Sequence, residues 1–393
     1  MNSVKILHLA DAHIGAAQSF LGAGADARRY EALMTFERII NKAGEQGVQL
    51  IAAAGDIFDS NKVSEKFIAP IFEKIASVPK IKVVFAAGNH DPLTADSPFE
   101  TRKLPENLYV LGTADDCITF DDIGLRVYGR SFESVYAAGE ERFSITPPDD
   151  DYINLMVLHG ELRSDMGSDY NSVTPGFIES SGMDYIALGH IHKRTEIRRL
   201  GKTFYAYPGC PEGMGFDELG EKGVYIGEIS KGGNNLEFLP TARRMCLYEK
   251  IDITGCETNA AAAERVLAAL KEKYGENYAE NLCKIELIGT ANIIPAEVLS
   301  RLGSLYYAKL RDKTEPPINY EELSHEISLK GLFVKNMLSR LNAADGEEKE
   351  NLKEALKLGL KAFDGEVSCD EMLLRRRNRQ VIELGEQSAS QMR

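Results

Sequence analysis

Five short apolar runs in the first half of the chain each end in residues that can hold a metal ion. Val4–Ala10 leads into Asp11 and His13, and Val48–Ala54 into Gly55 and Asp56. Ile81–Ala87 leads into Gly88, Asn89, His90 and Asp91. Ile153–Leu158 leads into His159, and Tyr185–Leu188 into Gly189, His190 and His192. Two Asp, one Asn and four His supply oxygen and imidazole nitrogen without soft sulfur. That mix suits Mn²⁺ or Fe²⁺ and is possible for Zn²⁺. Seven ligands exceed one ordinary site. One carboxylate bridging two divalent cations, with about three further ligands each, fits the two-metal arrangement at roughly 3.5–4 Å separation. Such a pair holds a phosphoryl oxygen, polarises phosphorus and makes hydroxide from bound water. His90 is placed to protonate or stabilise a leaving oxygen, with Asp91 placed to orient its ring.

These residues need elements that carry them to one place. In open α/β sheets, sites form outside the carboxyl ends of the strands. The apolar runs read as strands buried on both faces, because they are continuously apolar rather than alternating. Between them, Tyr30, Leu33, Met34, Ile40 and Ala43 form a helical stripe. Ser64 reads as the cap of a second helix, with Phe67, Ile68, Ile71, Phe72 and Ile75 on its buried side. Residues 1–240 therefore read as an α/β domain, a layered β-sandwich flanked by helices. Residues 245–316 read as a small α+β unit: a strand at 247–253, a helix at 259–273, a strand at 283–288, a helix at 295–302 and a strand at 305–310. Pro316 and Pro317 mark a boundary. Residues 318–393 read as helical, with Leu329, Leu332, Phe333, Met337, Leu338 and Leu341 as one stripe, ending in a polar tail that the basic run at 375–379 opens.

Taken singly, each motif has an ordinary reading. Asp-x-His is mostly surface loop, and Gly-Asp after a strand is usually a turn. Five strand ends in order, each with the right ligand type, are what coincidence does not explain. His8, inside the first strand, reads as a satisfied core histidine. Cys210 reads as a loop residue near the site rather than a nucleophile.

The 393 residues carry 46 Lys+Arg and 60 Asp+Glu, a net charge of −14. That balance counts against a basic nucleic-acid coat protein. It leaves room for an enzyme whose ions supply local positive charge. The carboxylate surplus lies mostly before residue 240, together with six of the seven histidines. No apolar run approaches the roughly 20 residues needed to span a bilayer. Lys5, His8, Asp11 and His13 interrupt any secretory h-region at the start. The six cysteines form no CxxC pair and read as reduced thiols of a cytoplasmic protein with no membrane partner.

The segments LHLADAHIG (7–15), AAGDIFDS (53–60), AAGNHDP (86–92), VLHGE (157–161), ALGHIHK (187–193) and YPGCPEG (207–213) together resemble the calcineurin-like metallophosphoesterases. Within them the chain is similar to the SbcD-type DNA repair nuclease branch, especially its YhaO-like members. The resemblance implies that Asp11, His13, Asp56 and His192 hold one ion. Asp56, Asn89, His159 and His190 would hold the other, with Asp56 bridging. It places His90 at the position that acts on the scissile phosphodiester. Some relatives have a histidine where this chain has Asp59. The resemblance also implies Mn²⁺-dependent hydrolysis of DNA, a capping role for the small unit, and docking of the last segment on an SbcC-like coiled-coil ABC-type ATPase. A homodimer is implied in the same way. A metallophosphatase or phosphodiesterase acting on small molecules or phosphoproteins is the competing reading. Lys193, Arg194, Arg198, Arg199 and Lys202 directly follow the last candidate ligand, with only Glu196 opposing, and are the candidate DNA contacts. On an acidic domain, DNA binding is then expected to need metal, this basic segment and a partner.

Overall fold

The computed structural model describes residues 3–136, 147, 148, 150–164 and 170–365. The chain opens with four parallel strands of one sheet, β1 (Ser3–Leu9), β2 (Leu50–Ala53), β3 (Lys82–Phe85) and β4 (Leu108–Val110). Strands β5 (Asp116–Phe120), β6 (Leu125–Arg130) and β7 (Ile153–His159) begin a second sheet. A small pair follows, β8 (Glu161–Leu162) with β9 (Ser172–Val173). The second sheet is completed by β10 (Tyr185–Gly189), β11 (Arg198–Leu200) and β12 (Thr203–Ala206). The chain then returns to the first with β13 (Gly223–Ser230) and β14 (Gly233–Pro240). The sheet orders are β14-β13-β1-β2-β3-β4 and β11-β12-β10-β7-β6-β5.

Alternate residues of a strand face opposite ways, and here both ways are covered. Val4, Ile6, Leu50, Ala52 and Val84 of the first sheet pack with Val127, Leu155, Val157 and Ala187 of the second. The other set, Leu7, Leu9, Ile51, Ala53, Val83 and Phe85, lies beneath two helices, α1 (Ala25–Glu45) and α2 (Glu65–Ala76). The outer face of the second sheet packs Met156, Leu158, Ile186 and Leu188 with Ile178, which lies on a short helix at Pro175–Ser180. This helix–sheet–sheet–helix layering is the reason the strands read as unbroken apolar runs.

The α1 stripe differs from the sequence expectation. Its buried face is Ala32, Leu33, Phe36, Ile39, Ile40 and Ala43. Tyr30 and Met34 are exposed at 43% and 56%. The helix meets the sheet along positions three and four apart from Phe36, and Tyr30 and Met34 fall to the outer side of that line. Tyr30 instead packs against Phe67 of α2, with ring centroids 5.3 Å apart. The α2 face is as expected, with Phe67, Ile68, Ile71, Phe72 and Ile75 all buried. Ser64 occupies its N-cap in an extended conformation, but its side chain makes no capping bond.

Three further parallel strands span Cys246–Asp252, Leu282–Ile288 and Tyr307–Asp312, in that spatial order. Helices at Asn259–Tyr274 and Pro295–Arg301 make their crossovers. The last strand lies two residues later than the sequence expectation. By chain contacts this small sheet groups with the two large ones in one unit, up to Gly289 and over Ile293–Thr314. The second unit comprises Thr290–Asn292 and the residues from Glu315 on. In it, helices Leu329–Ala343 and Gly346–Phe363 pack Val334, Met337 and Leu341 with Leu352, Leu356 and Leu360. The expected stripe is therefore divided: Leu329 and Leu332 are exposed at 78% and 56%. The contact line runs through positions 334, 337 and 341 and turns those two leucines away. The basic run at 375–379 lies outside the described residues. No helix among the described residues is long and apolar enough to cross a membrane.

Leu155 is fully buried between the two sheets. Leu155→Ala is expected to lower unfolding free energy by about 3 kcal/mol through lost burial and a residual cavity. Urea denaturation of the two proteins side by side measures it.

Candidate metal centre

Of the five motif-bearing strands, β1, β2 and β3 run parallel to one another in the first sheet and β7 and β10 in the second, so their carboxyl ends share one edge of each. The loops beyond them are laced together by backbone bonds. Asp11 N–H donates to the Gly55 carbonyl at 3.0 Å and His13 N–H to the Asp56 carbonyl at 2.9 Å. Asp11, His13, Asp56 and His190 have φ of 54°, 43°, 53° and 100°. Side chains rarely adopt this left-handed region, at a cost of order 1–3 kcal/mol per residue. Four such residues among seven candidate ligands mark a backbone bent to aim side chains. Gly189 permits the closest approach: a Cβ there would lie 1.7 Å from the Ala54 carbonyl oxygen.

All seven candidates come together. His159 Nε2 lies 3.0 Å from Asn89 Oδ1 and 3.2 Å from Asp56 Oδ2. His13 Nε2 lies 3.1 Å from His192 Nε2 and 3.7 Å from Asp56 Oδ2. The His159 and His190 rings are 5.2 Å apart, and the His190 N–H donates to Asp11 Oδ1 at 2.9 Å. Asp11, His13 and His192 form one group with ligand atoms within 4.8 Å of one another, and Asp11, Asp56 and His159 form a second. Asp11, His13, Asp56, Asn89 and His159 are buried, whereas His190 and His192 are half-buried.

The donor set fits a divalent cation. Two imidazole Nε2 atoms face each other at 3.1 Å, a separation that also suits one hydrogen bond between the rings. They are spaced as two ligands of one ion are, given metal–nitrogen bonds of roughly 2.0–2.1 Å. Hydrogen bonds fix which nitrogen faces inward. His159 Nδ1 donates to the Ala54 carbonyl at 2.9 Å, which directs Nε2 toward Asn89 and Asp56. Burial opposes a charge on Asp56, but His159, His13 and His90 together hold the carboxyl well below the usual range. The converse holds for His159: burial lowers it, while Asp56 and Asp11 together raise it to about 9. For His190, burial and then the His159 charge push the ring down to about 4.

His90 projects from the same rim and is exposed. Its Nδ1 meets the Asp59 carbonyl oxygen at 3.0 Å, and its ring lies 4.6 Å from that of His13. Asp91 does not orient that ring, contrary to the sequence expectation. Its carboxylate is fully buried and accepts from the backbone N–H groups of Asp56, Ile57, Phe58 and Gly88, at 2.7–3.1 Å. It ties the β2 loop to the β3 loop, because four buried N–H groups are stronger company for a carboxylate than one exposed ring. Burial, then the Asp56 charge, raise its pKa to about 7.

Lys193, Arg194, Arg198, Arg199 and Lys202 are all exposed just beyond His192. Arg198 and Arg199 lie on β11, at one edge of the second sheet. The Arg194 guanidinium stacks 4.1 Å from the Phe238 ring centroid and lies 3.7 Å from Glu196. His8 is the satisfied core histidine expected, with ring nitrogens 3.0 Å from the Tyr185 hydroxyl and 3.2 Å from the Leu188 carbonyl. Cys210 is buried, and burial pushes its thiol well above its ordinary value.

Two further carboxylates stand at the site, and no motif announced Glu218. Glu218 accepts from His192 Nδ1; burial raises its carboxyl, but the bond and charge of His192, the Met214 N–H and Lys222 together hold its pKa at about 2. Asp59 places Oδ1 3.4 Å from His13 Nδ1. Glu218 lies 26 residues beyond His192 with no regular element to predict its direction. Asp59 had one signal, its place in the GDIFDS segment.

Asp91→Ala removes the acceptor of four buried N–H groups. It is expected to destabilise the protein by several kcal/mol, at about 1–3 kcal/mol for each donor left unsatisfied after relaxation. Thermal and urea denaturation in EDTA should show this loss, whereas His90→Ala in the same assay should be near neutral.

Residues 4–194 match the family model described as calcineurin-like phosphoesterase. Over 281 residues the chain is 30% identical to the "uncharacterized metallophosphoesterase YhaO" of Bacillus subtilis, covering 68% of this chain and 67% of that one. It is 26% identical over 254 residues to the DNA double-strand break repair protein Mre11 of Methanopyrus kandleri, covering 58% and 55% of the two chains. The Mre11 of Sulfolobus acidocaldarius is 24% identical over 318 residues, covering 77% and 79%. The chain thus spans little more than half of the Methanopyrus protein. Sequence match and strand-end geometry agree that the chain belongs to the calcineurin-like metallophosphoesterase family, whose members are hydrolases of phosphoesters.

Proposed function

We propose that the protein is a two-metal DNA nuclease subunit of a repair complex. The hydrolase reading rests on one observation above others: the buried Asp56 carboxylate lies within 3.7 Å of imidazole nitrogens on both sides, His13 and His159. In this reading Asp11, His13, Asp56 and His192 hold one ion and Asp56, Asn89, His159 and His190 the other. The oxygen and imidazole set favours Mn²⁺, with Fe²⁺ or Zn²⁺ as alternatives. When bound, such ions polarise a phosphoryl oxygen and make hydroxide available at neutral pH. His90 is the residue left for the substrate. Its Nδ1 is engaged by the Asp59 carbonyl, so Nε2 is the atom that moves a proton to, or stabilises, the leaving oxygen. Asp91 takes no proton in this scheme and acts by holding the loops of Asp56 and Gly88.

DNA as substrate is supported by the Mre11 names of relatives that align over much of the chain. It is also supported by the exposed cations after His192, of which Lys193, Arg194, Arg198, Arg199 and Lys202 would meet phosphates. Residues 245–316 would act as a cap. The segment from 318 on would dock on an SbcC-like ATPase in the cytoplasm through a surface that includes Leu329 and Leu332, with a homodimer as the working assembly. A phosphatase or phosphodiesterase acting on small molecules or phosphoproteins is the second reading. It is favoured by the Bacillus relative, whose description names the metallophosphoesterase class and no DNA.

Purified protein incubated with Mn²⁺ and labelled single- and double-stranded DNA should cleave DNA. His90→Ala should lower the rate by about 10²–10⁴ while leaving Mn²⁺ uptake intact. Turnover of p-nitrophenyl phosphate without DNA cleavage would establish the second reading. A metal-loaded protein with neither activity would point to a structural subunit. In binding assays, changing Arg198 and Arg199 to Ala should flatten the slope of log affinity against log salt by about 0.7–0.9 per lost phosphate contact. An unaltered slope removes this segment from the DNA interface.

A further inference from the structure

His192 is the least enclosed of the candidate ligand histidines in its group. Its side chain is 30% exposed, against 3% for His13. Packing alone does not fix such a ring, so a hydrogen bond must. Its Nε2 is the inward atom, 3.1 Å from His13 Nε2. Its Nδ1 therefore carries the proton and needs an acceptor, and that acceptor is the Glu218 carboxylate. The carboxylate is itself held. Glu218 Oε2 accepts from the Met214 N–H at 2.6 Å and from the Cys210 thiol at 3.4 Å. The same loop, 207–222, grips the His192 backbone. Lys222 Nζ donates to the His192 carbonyl at 3.0 Å, and a Cβ on Gly209 would come within 2.7 Å of that oxygen.

The geometry points to Glu218 as a positioning residue that fixes the tautomer and orientation of His192 for the metal site. The inference rests on the metal reading above. A carboxylate behind a ligating imidazole raises its basicity and locks the ring, and loss of such a partner typically weakens metal affinity 10–100-fold. His159 needs no such residue, because it is fully buried and bonded to the Ala54 carbonyl. The competing role for Glu218 is that of a staple for its own loop, through Met214.

Calorimetric titration of Mn²⁺ into the full chain separates these roles, with each protein's Tm in EDTA measured beside it. Glu218→Ala should weaken binding of one ion by about 10–100-fold at temperatures where the variant remains folded. Glu218→Gln retains an oxygen that can accept from Nδ1 and should recover most of that loss. The inference is overturned if Glu218→Ala binds Mn²⁺ as the wild type does. It is equally overturned if both variants lose affinity and EDTA Tm together, or both fail to fold, which is the behaviour of a loop staple. If the wild type itself takes up no Mn²⁺, the metal reading falls first. The two failures are therefore distinguishable.

Discussion

A carboxylate 1% exposed is the constraint on which the site depends. Asp56 lies between the His13 and His159 rings and also accepts from the His90 backbone N–H at 2.8 Å. Taking an ionised carboxylate out of water costs several kcal/mol unless charge and hydrogen bonds compensate. The surrounding loops supply both. Asp91 gathers the N–H groups of the Asp56 loop from below, at the cost of burying a second carboxylate. Asp11 adds a third buried carboxylate in the same place. Three buried acids with interleaved imidazoles gather oxygen and nitrogen donors in one place, and such a donor set favours divalent cations.

That donor set also bears on how an acidic phosphoester hydrolase can accept an anionic group. Net charge of −14 is a repulsive background for any phosphodiester. Part of the acidity is internal, at the candidate ligands, rather than on the surface. The exposed cations sit immediately after His192, so positive surface charge and the candidate ligands are neighbours in the chain. Local arrangement outweighs total charge here, because surface fields are screened within about 8–10 Å while contacts at the site are not.

The loop 207–222 extends the same logic outward. Glu218 and Lys222 hold the ring and the carbonyl of His192, one by each charge. On the far side of this loop, Arg28 is fully buried, with Nη2 2.7 Å from both Glu212 Oε1 and the Gly213 carbonyl. Arg28 also pairs with Glu31, which receives Arg244. Helix α1, the loop and the chain leading into the small sheet are therefore tied by ion pairs that are mostly out of water. Rigidity at His192 thus draws on contacts well outside the candidate ligand shell.

Much of this was legible in the residues. Apolar runs buried on both faces, each followed within a few positions by Asp, Asn or His, pointed to the strands and to seven candidate ligands that the fold brings together. The reason is locality: each ligand is adjacent in sequence to the strand that aims it, so one motif carries both position and chemistry. Helix faces were less legible. Tyr30, Met34, Leu329 and Leu332 are apolar at helical spacing yet exposed, because only the neighbouring element decides which line of a helix is covered. Least legible were the supporting groups. Asp91 sits beside His90 in the chain but bonds a loop more than 30 residues away. Glu218 reaches His192 only through the path of an irregular loop. A hydrogen bond across space has no period or spacing in sequence. The sequence alone therefore determined which residues could hold metal, and the tertiary structure decided which residues hold them in place.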